Sequence, residues 1–197
     1  MLALVDSGGA NIASVRFALE RLGVRSELTA DPVVIRSAER VILPGVGSAA
    51  EGMKRLQAKG LVECVRGLTQ PVLGVCLGMQ LLFESSAEGP VDTLGPIPGR
   101  VAFLPDSPGI QVPHMGWNTV EAGPSVALLD GIDAAARFYF VHSFAGPVNE
   151  FTLASCTHGT AFAAIVQRGN FSGVQFHPER SGPAGARLLQ NFVEGRA

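Results

Sequence analysis

Hydrophobic positions follow one rhythm in the first half of the chain and another in the second. Leu2 to Val5 is a short apolar run. Beyond the polar segment that starts at Asp6, the residues Ile12, Val15, Leu19 and Leu22 recur at helical spacing. Asn11 is a good N-cap for that helix and Gly23 a good stop. Val24 to Leu28 and Val41 to Leu43 read as the second and third strands. Pro44-Gly45-Val46-Gly47 follows at once, and Ser48 with Glu51 forms a capping box for the next helix. A further apolar run from Pro71 ends at Cys76, and an apolar helical pattern continues to Phe83. This alternation predicts a parallel sheet with helices on both faces.

After about residue 85 the pattern changes. Ser85 to Gly99 is rich in turn residues. Val101–Phe103, Thr119–Val120, Arg137–Val141, Phe151–Ser155, Phe162–Gln167 and Gly173–Phe176 read as short strands. Gly, Pro, Asn and Asp separate them, which predicts hairpins on one side of the sheet. A helix from near Pro183 closes the chain with Leu188, Leu189, Phe192 and Val193 on one face. No repeat, low-complexity tract or linker interrupts it, so residues 1–197 read as one domain.

Composition narrows the function classes. The chain is 47% apolar and 16% charged, enough for a sizeable core and far from a disordered composition. A net charge of −2 with no long run of one sign argues against nucleic acid or an anionic membrane as partner. No apolar stretch approaches the roughly 20 residues that span a bilayer. Met1 to Asp6 lacks the basic region of a signal peptide. Three cysteines is a low, odd count whose wide spacing fits no zinc pattern. The expectation is a cytoplasmic protein with free thiols.

Cys76 is the strongest chemical signal. Gly74 and Gly78 stand two residues before and after it, between a strand and a helix. That is the layout of a nucleophile elbow with Cys in place of Ser. Glycine is required because a Cβ at either position would meet neighbouring backbone. The turn sets the sulfur at a helix start, where N–H groups favour the reactive thiolate. Such a nucleophile needs a base. His177 has the best context of the four histidines: a strand delivers it, Pro178 biases it to extended backbone, and Glu179 stands two residues on. Cys76, His177 and Glu179 are therefore the candidate catalytic set, with Glu179 holding the imidazole tautomer. The N–H of Leu77 and the Gly45-Val46-Gly47 loop are candidate oxyanion donors. Cys64 and Cys156 read as buried core thiols. His158 reads as structural, and His114 and His142 as structural or interface residues.

With these residues the chain resembles the class I glutamine amidotransferases, which carry a Cys-His-Glu triad. Within them it resembles the glutaminase subunits of imidazole glycerol phosphate synthases. Leu43–Gly47, Gly74–Gln80, Pro113–Asn118, Tyr139–Ser143 and Gln175–Gly182 carry the likeness in order across nearly the whole chain. The resemblance implies a three-layer, flavodoxin-like α/β fold, with a mostly parallel central sheet and added antiparallel strands in the second half. It implies hydrolysis of glutamine through a thioester on Cys76, and transfer of ammonia to a separate cyclase subunit, a (β/α)₈ barrel, in a heterodimer. It also implies no metal and no organic cofactor. By the family pattern Gly45, Val46, Gly47, Leu77, Gln80, Ser143 and Phe144 would hold glutamine, with Glu88 as the acid for its α-amino group. Asn11, His114, Trp117, Tyr139 and Arg180 would face the partner or couple to it. Arg180 stands where the family usually has lysine, Phe144 where it has tyrosine, and His158 where tyrosine is common.

Three rivals remain on sequence grounds. Another class I glutaminase subunit is opposed by Pro-His-Met-Gly-Trp-Asn at 113–118. A non-catalytic domain on the same fold is opposed by the intact Cys, His and Glu. A cysteine hydrolase of another substrate class is opposed by Gln80 and the glycine loop.

Overall fold

The computed structural model describes residues 1–8, 12–105 and 109–195. Its main sheet has eight strands. β1 (Leu2–Val5), β2 (Ser26–Thr29), β3 (Arg40–Gly45) and β4 (Val72–Cys76) lie in the first half. Then come two short strands and one longer one: β5 (Phe83–Ser86), β6 (Val91–Asp92) and β7 (Ile97–Phe103). β8 (His114–Asn118), β9 (Glu121–Ala122), β10 (Phe138–His142) and β11 (Phe144–Ala145) follow. β12 (Thr152–His158), β13 (Thr160–Arg168) and β14 (Phe171–Val174) complete the set. The main sheet runs β2-β1-β3-β4-β14-β13-β12-β9. Its first five strands pair in parallel, and β13, β12 and β9 extend one edge antiparallel.

The helices are α1 (Ile12–Arg21), α2 (Pro32–Ser37), α3 (Ala49–Ala58), α4 (Val62–Arg66), α5 (Leu77–Gln80) and α6 (Gly182–Val193). They cover both faces of the parallel part. Leu2, Leu4, Ile42 and Leu73 pack with Val15 and Leu19 of α1 and with Leu188 and Phe192 of α6. The alternate residues Ala3, Val5, Val41, Leu43 and Val72 pack with Ile35, Met53, Leu56 and Val65 on the other face. Every residue of β1 and β4 is buried for that reason, which explains continuous apolar runs where a half-exposed strand would alternate. Two smaller sheets stand beside this frame: the ribbon β10-β8, and β11-β7-β5-β6.

The fold is the expected α/β class, and several local readings shift. Thr119–Val120 is not a strand; it falls between β8 and β9, where the Asn118 side chain accepts from the Thr119 N–H. The helix after Cys76 stops at Gln80 rather than running on to Phe83, because Phe83 opens β5 beside β7. The turn-rich stretch from Ser85 to Gly99 contains β6 and the start of β7. Asn11, expected as a helix cap and a partner residue, lies outside the described residues. No helix among the described residues is long and apolar enough to cross a membrane.

Candidate active site

Close backbone packing fixes the elbow. Cys76 takes φ 54° and ψ −111°, a conformation that costs a side-chain-bearing residue free energy and persists only where the surroundings enforce it. The surroundings do so through glycine. A Cβ on Gly78 would lie 1.8 Å from the Leu43 carbonyl oxygen, and one on Gly74 would lie 2.6 Å from the Gly78 carbonyl oxygen. Parallel pairing sets Gly45 opposite Cys76, so the glycine loop begins level with the sulfur. Gly47 follows at φ +90°, a left-handed conformation that favours glycine.

β14 and a short 3₁₀ turn at Pro178–Arg180 deliver the histidine. The backbone of His177 is extended, as the following proline requires. Three bonds tie it to the ribbon: its N–H donates to the Tyr139 carbonyl at 2.9 Å, the Ser181 hydroxyl donates to the His177 carbonyl at 2.7 Å, and the Tyr139 N–H donates to that same hydroxyl at 2.9 Å. Glu179 sits on the turn itself, with Oε1 2.7 Å from His177 Nδ1. That leaves Nε2 for the Cys76 sulfur, which also hydrogen-bonds the ring. Burial disfavours a charged ring here, but the hydrogen bonds and charges of Cys76 and Glu179 outweigh it and raise the His177 pKa from 6.5 to about 10. The imidazole therefore carries its proton at neutral pH. Cys76 is 8% exposed and His177 4%, so both side chains sit deep in a recess.

The recess is the floor of a cavity of about 590 Å³, large enough for an amino-acid-sized ligand. Val46, Gly47, Cys76, Leu77, Gln80, Glu88, Ser143, Phe144, His177 and Arg180 all line it. A cysteine, a proton-bearing histidine and a carboxylate in line, below a cavity open to substrate, can perform acyl transfer by way of a thioester.

Comparison with known proteins agrees with this chemistry. The model of the family described as Glutamine amidotransferase class-I matches residues 3–195. The chain belongs to that family. It is 55% identical over 193 residues to the protein named imidazole glycerol phosphate synthase subunit HisH of Xanthomonas campestris pv. campestris (strain 8004), covering 98% of this chain and 96% of that one. It is 53% identical over the same length to the protein of that name from Xylella fastidiosa (strain Temecula1 / ATCC 700964), with the same coverage. A solved structure described as a glutamine amidotransferase superposes with a TM-score of 0.75 at 21% identity, over 98% of this chain and 97% of that one. The structure of PurLQS from Thermotoga maritima gives 0.71 at 18%, over 98% and 97%. At those identities the likeness is one of fold.

The remaining candidates of this amidotransferase spread outward from the cavity. Glu88 reaches it at the N-terminus of α3, where its carboxylate accepts from the Ala49 N–H at 3.2 Å; burial pushes its pKa up. Arg180 lines the cavity and stacks over the Tyr139 ring at 4.3 Å. Tyr139 meets Trp117 edge to face at 5.9 Å, and Trp117 is half exposed. His114 is buried at the start of β8, opposite His142 of β10.

Sequence reasoning passed over Gln175 and gave His142 no place in the site. Gln175 is fully buried; its Nε2 lies 3.8 Å from the Cys76 sulfur and its Oε1 accepts from Gln80 Nε2 at 3.0 Å. The available signal was a polar amide inside the apolar strand Gly173–Phe176, because such a group must find a buried partner. His142 lines the cavity, and its link to the site runs through a backbone carbonyl, which no residue type announces.

Proposed function

We propose that this chain is the glutaminase subunit of an imidazole glycerol phosphate synthase. The observation that carries the reading is Cys76 and His177 lining the cavity with Glu179 hydrogen-bonded behind the imidazole, in a chain 55% identical to the Xanthomonas subunit over nearly its full length.

The Cys76 sulfur attacks the side-chain amide carbon of glutamine. The tetrahedral oxyanion is received by the Leu77 N–H and an N–H of the Gly45–Gly47 loop, which sits level with the sulfur. Collapse breaks the C–N bond as His177 gives its proton to the leaving nitrogen. Ammonia departs and a γ-glutamyl thioester remains. His177, now neutral, takes a proton from water, whose oxygen attacks the thioester; glutamate leaves and the thiolate and imidazolium are restored. Glu179 keeps the Nδ1–H tautomer, so that Nε2 performs both transfers. Glu88 meets the substrate α-amino group across the cavity, and Gln80, Ser143 and Phe144 shape the wall around its chain.

Ammonia released here passes to a cyclase subunit, a (β/α)₈ barrel, which uses it to make imidazole glycerol phosphate and aminoimidazole carboxamide ribotide in histidine biosynthesis. The docking face is the outer side of the β8–β10 ribbon. It exposes Met115 and Trp117, at 63% and 52%, and carries Tyr139, with Arg180 stacked on it at the cavity mouth. Exposed large apolar residues beside a reactive cavity support a partner surface.

The test is glutamate release from glutamine by the purified chain, alone and with the cognate barrel and its nucleotide substrate, with imidazole glycerol phosphate followed in parallel. Glutamate and imidazole glycerol phosphate formed together by the pair are the expected result. No glutamate under any condition would overturn the glutaminase reading, and equal turnover with and without the barrel would overturn the coupling.

A further inference from the structure

A chain of buried polar groups runs from the ribbon to the nucleophile. Its direction follows from which atoms can only accept and which can only donate. The Phe144 carbonyl only accepts, so His142 Nδ1, 2.9 Å away, carries a hydrogen. A neutral imidazole has one donor and one acceptor, which makes His142 Nε2 the acceptor. His114 Nδ1 stands 3.1 Å from it. On the far side of His114, Asn118 Nδ2 approaches Nε2 at 3.4 Å. The Asn118 amide is oriented independently, because Nδ2 also donates to the Thr157 carbonyl at 3.1 Å and Oδ1 accepts from the Thr119 N–H at 2.9 Å. His114 Nε2 therefore accepts, and His114 Nδ1 donates to His142. Every bond points inward, from Asn118 to His114 to His142 to the Phe144 carbonyl.

That carbonyl is a joint. Its second hydrogen bond comes from Gln80 Nε2 at 2.7 Å, on the helix that begins at the elbow. The same Nε2 gives its other hydrogen to Gln175, whose amide reaches the Cys76 sulfur. Both lone pairs of one peptide oxygen are thus divided between the elbow and the ribbon. The rings cannot easily turn away. His114 stacks on Phe140 at 4.7 Å and on His158 at 4.1 Å, and His142 meets Phe162 edge-on at 4.9 Å. Burial holds both rings neutral, lowering His142 to about 3 and His114 to about 4, the latter with help from His158.

We infer that His142 and His114 are positioning residues of the glutaminase site: as Nδ1–H tautomers in series they hold the Phe144 carbonyl, and through it the Gln80 and Gln175 amides, in the setting that receives glutamine. The inference rests on the glutaminase reading above. Neither ring touches the reacting atoms. A missing donor at His142 would leave the Phe144 carbonyl with only Gln80 and free the cavity wall at residues 143–144, so its cost falls on substrate binding.

Two measurements test it. The first is ¹⁵N–¹H spectroscopy of histidine-labelled chain at pH 7, which reads tautomers without reference to activity. His142 and His114 are expected as neutral Nδ1–H rings; an Nε2–H or doubly protonated form at either overturns the relay, even if glutamine is never hydrolysed. The second is glutaminase kinetics of the complex with the barrel. His142→Phe keeps an aromatic ring and lacks both nitrogens, and the expected result is a KM for glutamine raised about tenfold with kcat within about threefold, the size of one lost buried hydrogen bond. His142→Asn returns an N–H near the Nδ1 position and is expected to restore KM to within about threefold. An unchanged KM in a folded His142→Phe chain overturns the role, as does a loss that Asn fails to rescue. Absence of turnover in the unsubstituted complex would sink the glutaminase reading and leave the spectroscopic result to judge the relay alone.

Discussion

The wall of the cavity that carries Cys76 is held by contacts too close for any side chain, whereas the wall that carries His142 and Phe144 is held by hydrogen bonds between buried and half-buried polar groups. On the first side the chain needs three glycines, at 45, 74 and 78, and a strained cysteine between parallel strands. On the second it needs the right proton on each of two rings. Sterics give one geometry whatever the conditions. A hydrogen-bond chain keeps its geometry only while each member keeps its protonation state and partner. The difference teaches where each kind of damage should appear: in folding for the elbow, in substrate binding for the ribbon.

The largest expected effect lies at the nucleophile. Cys76→Ala should lower glutamine turnover by on the order of 10⁴-fold or more while leaving melting temperature and barrel binding close to the unsubstituted values, since the methyl fits where the thiol stood. A glutamine-like alkylating reagent should label Cys76 and spare Cys64 and Cys156. Both of those are buried, and burial raises both thiols, Cys156 to about 12. Peptide mass analysis decides it, and label on either core cysteine would count against the elbow as the reactive place.

Next comes the acid behind the histidine. Glu179→Gln keeps the shape of the side chain and changes which imidazole tautomer it favours, so kcat should fall on the order of 10²–10⁴-fold with little change in KM. A mainly KM effect would move Glu179 from the proton chemistry to the binding wall. Third is Gly78→Ala, which tests the steric side. The added carbon would lie 1.8 Å from the Leu43 carbonyl oxygen, backbone against backbone. A loss of roughly 3 kcal/mol or more is expected, or a melting temperature lower by about 6–12 °C for a chain this long. Gly47→Ala is the control: it meets open space and pays only for its φ of +90°, on the order of 1 kcal/mol. Equal losses at the two positions would show that close packing does not set the elbow.

The same contrast explains what could be read from the chain alone. Gly74, Gly78 and His177-Pro178-Glu179 announce themselves because backbone sterics allow few other residues there. The Ser48 cap of α3 was legible too, with the Glu51 N–H donating to the Ser48 hydroxyl, while the Glu51 carboxylate, expected to complete a capping box, pairs with Arg55. Gly23 ends α1 at φ +73°, as a helix-stop glycine should. α2, α4 and β6 were not seen: six, five and two residues are too few for a period to show. The Asp31–Pro32 start of α2 was present as a signal, with Asp31 accepting from the Val33 N–H. The polar relay was hidden for a different reason. Its joint is the carbonyl of Phe144, and its members come from positions 80, 114, 118, 142 and 175: the β8–β10 pairing sets His114 opposite His142, and α5 and the end of β14 bring in Gln80 and Gln175.

The smallest effect separates His177 from the two ribbon histidines by the sign of their pH dependence. His177 is raised to about 10, so its ion pair contributes stability that is fully present below the unfolded value of about 6.5 and is lost as pH rises toward 10. His114 and His142 are lowered to about 4 and 3; unfolded they take up protons below about 6.5 and folded they do not, so stability falls as pH drops through that window. Asp6, held down chiefly by its hydrogen bond to Lys59, also weakens in acid, so the readout is the difference between variant and unsubstituted chain. Melting curves from pH 4 to 10 should show that His142→Phe flattens the acid limb and leaves the alkaline limb, while His177→Gln does the reverse. Each difference should be about 2–4 °C, the shift of roughly 1 kcal/mol at this chain length. Parallel curves for both variants would mean that neither ring's protonation is linked to folding. The hydrogen-bonded wall would then be as indifferent to pH as the glycine-packed one.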